Sequence, residues 1–309
     1  MFTGKFKITV SISIIIIVVG IILAVVSGGL NLGIDFTGGS ITTIDIKTEF
    51  ETEVIQDALE AHNVADSQIM KSGDGYTEVV IRMKVVNEEE LQADTTESIL
   101  AAIQETYPDA ELVSVDSVGG TTSSDLVRDA FLAVIVACGL MLVYIWIRFE
   151  LFSGVAAVIA LTHDVLIMIA VVAITQMQIN SGFIAACLTI VGYSINNTIV
   201  IFDRIRDNKK VKPKSFTRNE LADVSIKETI TRTINTTVTT LIMIVCLYVF
   251  GVESIKEFSL PIIVGLVAGT YSSVFLSAPI WAKLSDAASR RKTNPTQKKK
   301  NNGKKSKKK

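Results

Sequence analysis

Five stretches of the chain are apolar for the length that a bilayer requires, and one long polar stretch separates the first from the rest. Ile8 to Val26 is a run of nineteen uncharged residues, enough at about 1.5 Å per residue to cross about 30 Å of hydrocarbon. The others are Leu126 to Ile147, Phe152 to Ile174, Phe183 to Asp203, and Ser259 to Trp281. A shorter block, Val238 to Phe250, spans only if it draws in Ile230 to Thr237. That extension is expected to bury Arg232, Asn235, Thr236 and Thr239 on one helical face. Six transmembrane helices result, at about 8–26, 126–147, 152–174, 182–203, 230–250 and 259–283. The sequence SGGLNLGIDFTGGS follows the first block where a leader would show a small-residue cleavage site, so that block reads as a retained anchor.

Between the first and second blocks the pattern changes period. Ser40 to Thr48 alternates Thr42, Ile44 and Ile46 against Ile41, Thr43, Asp45 and Lys47, a half-buried strand. Glu51 to His62 places Val54, Ile55, Ala58 and Leu59 on one helical face. A short strand at Ser67–Lys71, a Gly-Asp-Gly turn at 73–75, and a strand at Tyr76–Lys84 follow. Glu88 to Tyr107 is an acid-started helix ended by Pro108, and Glu111 to Val118 alternates again. The order β-α-β-β-α-β predicts an α+β, ferredoxin-like domain over residues 28–125. No Gly-rich phosphate loop, metal-ligand spacing or nucleophile–base pair is legible there, so an enzyme is not expected.

Charge sorts the segments by side. The net charge of −1 hides a balance of −16 over residues 28–125, from twenty acids and four bases. Residues 204–232 hold nine Lys or Arg, and 285–309 hold eleven against Asp286 alone. The basic segments predict that both termini are cytoplasmic and that residues 28–125 lie outside. The membrane domain then covers 126–284, after the anchor at 1–27. The lysine-rich tail, 285–309, is expected to be disordered and to meet anionic lipids, with RNA a weaker partner. Cys138, Cys187 and Cys246 all fall in apolar runs and read as buried small hydrophobes.

Polar side chains inside the apolar blocks are the candidates for function, because hydrocarbon offers them no partner. Asp164 is the carboxylate nearest the middle of a span, with His163 beside it, a packing histidine or a relay. In the fourth block Asn196 shares a stripe with Gly192, Val200 and Asp203, while Asn197 lies about 100° round, above Tyr193. The stripe runs into Asp203, Arg204 and Arg206 at the water boundary. An inward Arg232 would favour the charged form of a nearby carboxylate, and burial the neutral form.

GIDFTGGS, THDV, VGYSINNTIVIFDRIRDN, TRTINTTVTTL and GLVAGTYSSVFLSAPIW, in this order, together resemble the SecF branch of the SecD/SecF family over residues 1 to about 283. The resemblance implies a half-transporter of the resistance-nodulation-division type, paired with a SecD-like subunit at the SecYEG translocon. It implies use of the ion gradient, H⁺ or Na⁺, to draw exported unfolded preproteins outward, with no bound cofactor. Its motif residues here are Asp35, Phe36, Gly38 and Gly39, then Gly192, Tyr193, Asp203, Arg204 and Arg206. Its ion-coupling residues would be Asp164, Asn196, Asn197, Arg232 and Asn235. The family usually reads SIND where this chain reads SINN, so Asn197 stands in a carboxylate's position and cannot titrate. A small-molecule or lipid exporter of the same superfamily and a non-conducting scaffold are the competing readings.

Overall fold

The computed structural model describes residues 2–62, 64, 67–73, 75–83, 94–118, 120–213, 215–251 and 253–289. The first long helix is α1 (Phe6–Val26), followed by the single turn α2 (Ile34–Thr37). The outer domain is then β1 (Gly39–Asp45), α3 (Thr52–Ala61), β2 (Gln68–Ser72), β3 (Glu78–Met83), α4 (Asp94–Thr106) and β4 (Glu111–Val118). Its strands form one antiparallel sheet in the order β2-β3-β1-β4. The expected alternation sets the faces: Thr42, Ile44, Val79, Ile81 and Met83 are buried, and the helices close over them with Ile55, Leu59, Ile99 and Ile103. The first turns expected for α4, and Lys84 and Asp74, lie outside the described residues.

Five further long helices follow: α5 (Gly120–Arg148), α6 (Leu151–Thr175), α7 (Ser181–Val211), α8 (Arg218–Phe250) and α9 (Glu253–Ser272). After α9 comes a π-helical turn, Ser273–Ser277, and helix then continues to residue 289. With α1 these make six helices long and apolar enough to cross a membrane. The centre of the bundle is α6, α7 and α9, while α1, α5 and α8 are peripheral. Small residues allow the close crossings. A Cβ on Gly20 would meet Ala170 of α6 at 2.6 Å, and one on Gly265 would collide with Ile190 of α7. The small-residue stripe Gly265, Gly269, Ser273 is thus the seam between α9 and α7.

Two features differ from expectation. First, α7 and α8 run well past the apolar blocks, so most of the basic segment 204–232 is helix. A capping box at Thr217 and Glu220 starts α8 three turns before its apolar part. Second, Arg232, Asn235, Thr236 and Thr239 are exposed, not buried. The buried stripe of α8 is Thr229, Thr233 and Thr237. Threonines at every fourth position are short, and those at 229 and 237 bond back to their own helix, so this face can press on α9 and α7. The longer polar groups are left outside.

Gly265→Ala is expected to lower resistance to thermal unfolding in detergent by about 1–3 kcal/mol, through overpacking of the seam. Gly139→Ala, where nothing lies within 4 Å of the added Cβ, is expected to leave the midpoint unchanged.

Candidate functional site

Asp164 is fully buried, with no exposed surface. Its Oδ2 accepts hydrogen bonds from Ser194 Oγ of α7 at 2.5 Å and Ser272 Oγ of α9 at 2.9 Å. Its Oδ1 lies 2.9 Å from His163 Nδ1, and His163 Nε2 lies 2.8 Å from Ser13 Oγ of α1. Four helices therefore meet at one carboxylate. The π turn begins directly after Ser272. Ser273, its first residue, exchanges a hydrogen bond with Thr198 at 2.9 Å and donates to the Gly269 carbonyl. Insertions of this kind re-aim side chains within a helix and recur at functional positions. Tyr271 stacks on His163 with ring centroids 6.1 Å apart and donates to the Thr9 carbonyl.

No nucleophile–base pair was legible in the sequence, yet the fold brings Ser13 to His163. The sequence missed Ser13, Ser194, Ser272 and Ser273. A serine pair inside an apolar span, as at Ser272-Ser273, was the available signal.

The asparagines of α7 part company. Asn197 is only 2% exposed, and its Nδ2 has no hydrogen-bond partner among the described residues. Asn196 is exposed, on the same outward face as half-buried Gly192, Val200 and Asp203. Tyr193 joins α7 to α8 by donating to the Thr236 carbonyl at 2.7 Å. Next to that contact lie the exposed Arg232, Asn235 and Thr239. Arg232 is not in a buried inward stripe: it forms no ion pair among the described residues. The α7 end is stapled to its neighbours. Asp203 pairs with Arg206 at 2.6 Å and Arg148 at 3.5 Å, and Arg204 with Glu228 at 2.6 Å.

The glycine motif sits at the junction of the outer domain with the bundle. Gly38 and Gly39 have φ of 73° and 149°, and a Cβ on Gly39 would collide with the Met83 carbonyl of β3. Asp35 accepts from the Ser181 backbone N–H at the start of α7 at 2.7 Å, and Leu32 bridges to Ile179. Phe36 packs against the apolar cluster around α6, α7 and α9. From β3, Arg82 bonds Gln178 and pairs with Glu257 at 3.0 Å, with both charged groups mostly buried. Glu257 also accepts from Asn180.

Residues 98–287 match the family described as "Protein export membrane protein SecD/SecF, C-terminal", and residues 24–49 match the "SecD/SecF GG Motif". The chain belongs to the SecD/SecF family. It is 39% identical over 258 residues to the protein translocase subunit SecF of Cereibacter sphaeroides, covering 82% of this chain and 79% of that one. It is 36% identical to SecDF of Bacillus subtilis over 91% of this chain but only 37% of that longer protein. It superposes on the crystal structure of SecDF, a translocon-associated membrane protein from Thermus thermophilus, with a TM-score of 0.81 and 30% identity. That overlap takes in 92% of this chain and 38% of the SecDF chain. Within the family motif, the two glycines are therefore the tight join between the linker after α1 and the edge of β3.

Asp164→Ala leaves two serines and a histidine without their acceptor and is expected to cost about 3–5 kcal/mol of stability. Asp164→Asn keeps an acceptor at the same place and is expected to cost about 1–2 kcal/mol. Denaturation in detergent, followed by circular dichroism, reads both.

Proposed function

We propose that this chain is a SecF-type accessory subunit of the Sec protein-export translocase, a six-helix half that pairs with a SecD-like subunit. The observation that carries the reading is the superposition over 92% of this chain on only 38% of SecDF, a much longer polypeptide. Support comes from the outward face of α7 and α8. Asn196 of α7 and Arg232, Asn235 and Thr239 of α8 are exposed on two helices that Tyr193 joins. Polar side chains facing lipid are costly, so a partner helix or a wet cavity is the economical cover. In this reading the partner's half completes the ion path along that face.

The sheet order and the pairing of α3 with α4 over it support a ferredoxin-like outer domain. The lysine and arginine bias supports both termini in the cytoplasm and residues 28–125 outside, where they would meet preproteins leaving the SecYEG translocon. The basic tail would rest on anionic lipid. Asp164 is the group we assign to ion-gradient coupling, with Asn197 supporting the path without titrating. A small-molecule exporter is disfavoured by the small size of the outer domain.

Affinity purification from native membranes is expected to recover a SecD-like protein and the translocon with this chain. Arg232→Ala is expected to reduce that recovery and export several-fold, and Arg206→Ala much less, since Arg206 sits in a water-side ion cluster. Equal losses would show that the arginines act as one surface patch. Asp164→Asn is expected to keep the complex and lose gradient-driven export, whereas Asn197→Asp, which restores the family's usual residue, is expected to be tolerated. Normal secretion by Asp164→Asn would replace coupling with a scaffold role. An impermeant thiol reagent should label a cysteine at Glu60 and not one at Lys210 in intact cells; the reverse would overturn the orientation.

A further inference from the structure

The environment of Asp164 fixes how many protons the site can comfortably hold. Ser194 and Ser272 occupy Oδ2, so Oδ1 is left to His163 Nδ1. The ion pair with His163 is the one that the described residues give Asp164. The elements packed around the pair add hydroxyls and no further charge. α1 brings Ser13 and the Thr9 carbonyl, α7 brings Ser194, and α9 brings Ser272 and the phenol of Tyr271. On α6 itself His163 and Asp164 are the ionisable residues of the span.

A buried carboxylate of this kind favours arrangements without net charge. Two exist: imidazolium with carboxylate, and neutral imidazole with carboxylic acid. Both hold the same single extra proton. In the first, both ring nitrogens carry hydrogen. In the second, the acid donates to Nδ1, so the neutral ring must carry its hydrogen on Nε2. Either way Nε2 donates to Ser13 Oγ, and the Ser13 hydroxyl is free to donate to the Thr9 carbonyl 3.2 Å away. Release of the proton leaves a net charge of −1. The carboxylate then needs the Nδ1 hydrogen, Nε2 is bare, and Ser13 must turn its hydroxyl from α1 to the histidine.

We propose that His163 and Asp164 together form a one-proton binding site, and that Ser13 is a positioning residue through which α1 reads whether the site is filled. The Ser13 hydrogen bond reverses with occupancy wherever the proton sits within the pair. This rests on the coupling role given to Asp164 above, but it assigns the proton to the His163–Asp164 pair and adds a contact through which α1 senses it. It also gives the chain a titrating unit that does not depend on the amide at Asn197. The titration belongs to the pair and not to either residue.

The chain has two histidines, so His62→Gln protein leaves one reporter. The test is nitrogen NMR of ¹⁵N-histidine-labelled, full-length His62→Gln chain in lipid nanodiscs, with a purification tag free of histidine. The Nε2 signal is expected to pass from N–H to bare nitrogen between about pH 5 and pH 10. Asp164→Asn is expected to displace that transition, because the coupled carboxylate is gone. Ser13→Ala is expected to displace it too, and Ser13→Thr to restore it, which a merely packing serine would not do. An Nε2 that keeps one state across the range, or a transition indifferent to Asp164, overturns the proposal. Export assays separate it from the parent reading. Loss of gradient-driven export in Asp164→Asn, with normal export in His163→Gln and no Nε2 transition in the parent chain, would keep coupling and remove this site. Normal export in both variants, with the Nε2 transition present, would keep the proton site and remove coupling.

Discussion

Hydrocarbon offers no partner to a polar group, so every such group carried to membrane depth must be met by the protein or by enclosed water. In this chain that requirement bears hardest on Asp164, which is wholly buried. The arrangement of the bundle follows from meeting it. α7 supplies Ser194, α9 supplies Ser272, and α1 reaches the site through Ser13 and His163. Gly269 permits the approach, since a Cβ there would press on Ser194 at 2.9 Å. The π turn after Ser272 belongs to the same solution, because an extra residue in the turn redirects the serines toward α6 and α7. Packing and polar satisfaction are therefore one problem here, solved by small residues at the contacts and hydroxyls at the carboxylate.

A second set of bonds ties the outer domain to the helix ends. The glycine motif lets β1 pass against Met83, Asp35 caps α7, and Arg82 reaches from β3 to Glu257. The Arg82–Glu257 pair is shielded from water, with its side chains 12% and 14% exposed, so its loss would strand a charge as well as remove an attraction. α9 carries Glu257 near its outer end and Ser272 at the buried carboxylate. One helix thus spans both networks.

The periphery obeys the same constraint from the other side. α8 buries its threonine stripe and leaves Arg232 and Asn235 outward. Such a face is costly against lipid. The charged ends of α7 and α8 form their own staples, Asp203 with Arg148 and Arg206, and Arg204 with Glu228. These hold three helices together at the water boundary, where ion pairs cost little to form.

Much of this was legible in the residues. Run length gave the six spans, and period-2 alternation gave the strand faces at Thr42 and Ile44. These are local properties, set by rise per residue and by which side chains tolerate water. The sequence also marked Asp164 as costly, since a lone carboxylate in an apolar run needs a partner. It did not say which partner. Ser13 and His163 are 150 positions apart, and Asp164 and Ser272 are 108 apart. No periodicity within one helix reports how another is rotated against it. The same limit explains the reversed face of α8: helical spacing grouped Arg232 with Asn235 and Thr239, and only the packing of Thr229, Thr233 and Thr237 on α7 and α9 decided which group turned outward. Chain-local chemistry determined the elements and their costs, and tertiary packing decided how those costs were met, because hydrogen bonds between helices depend on rotations that each helix leaves free.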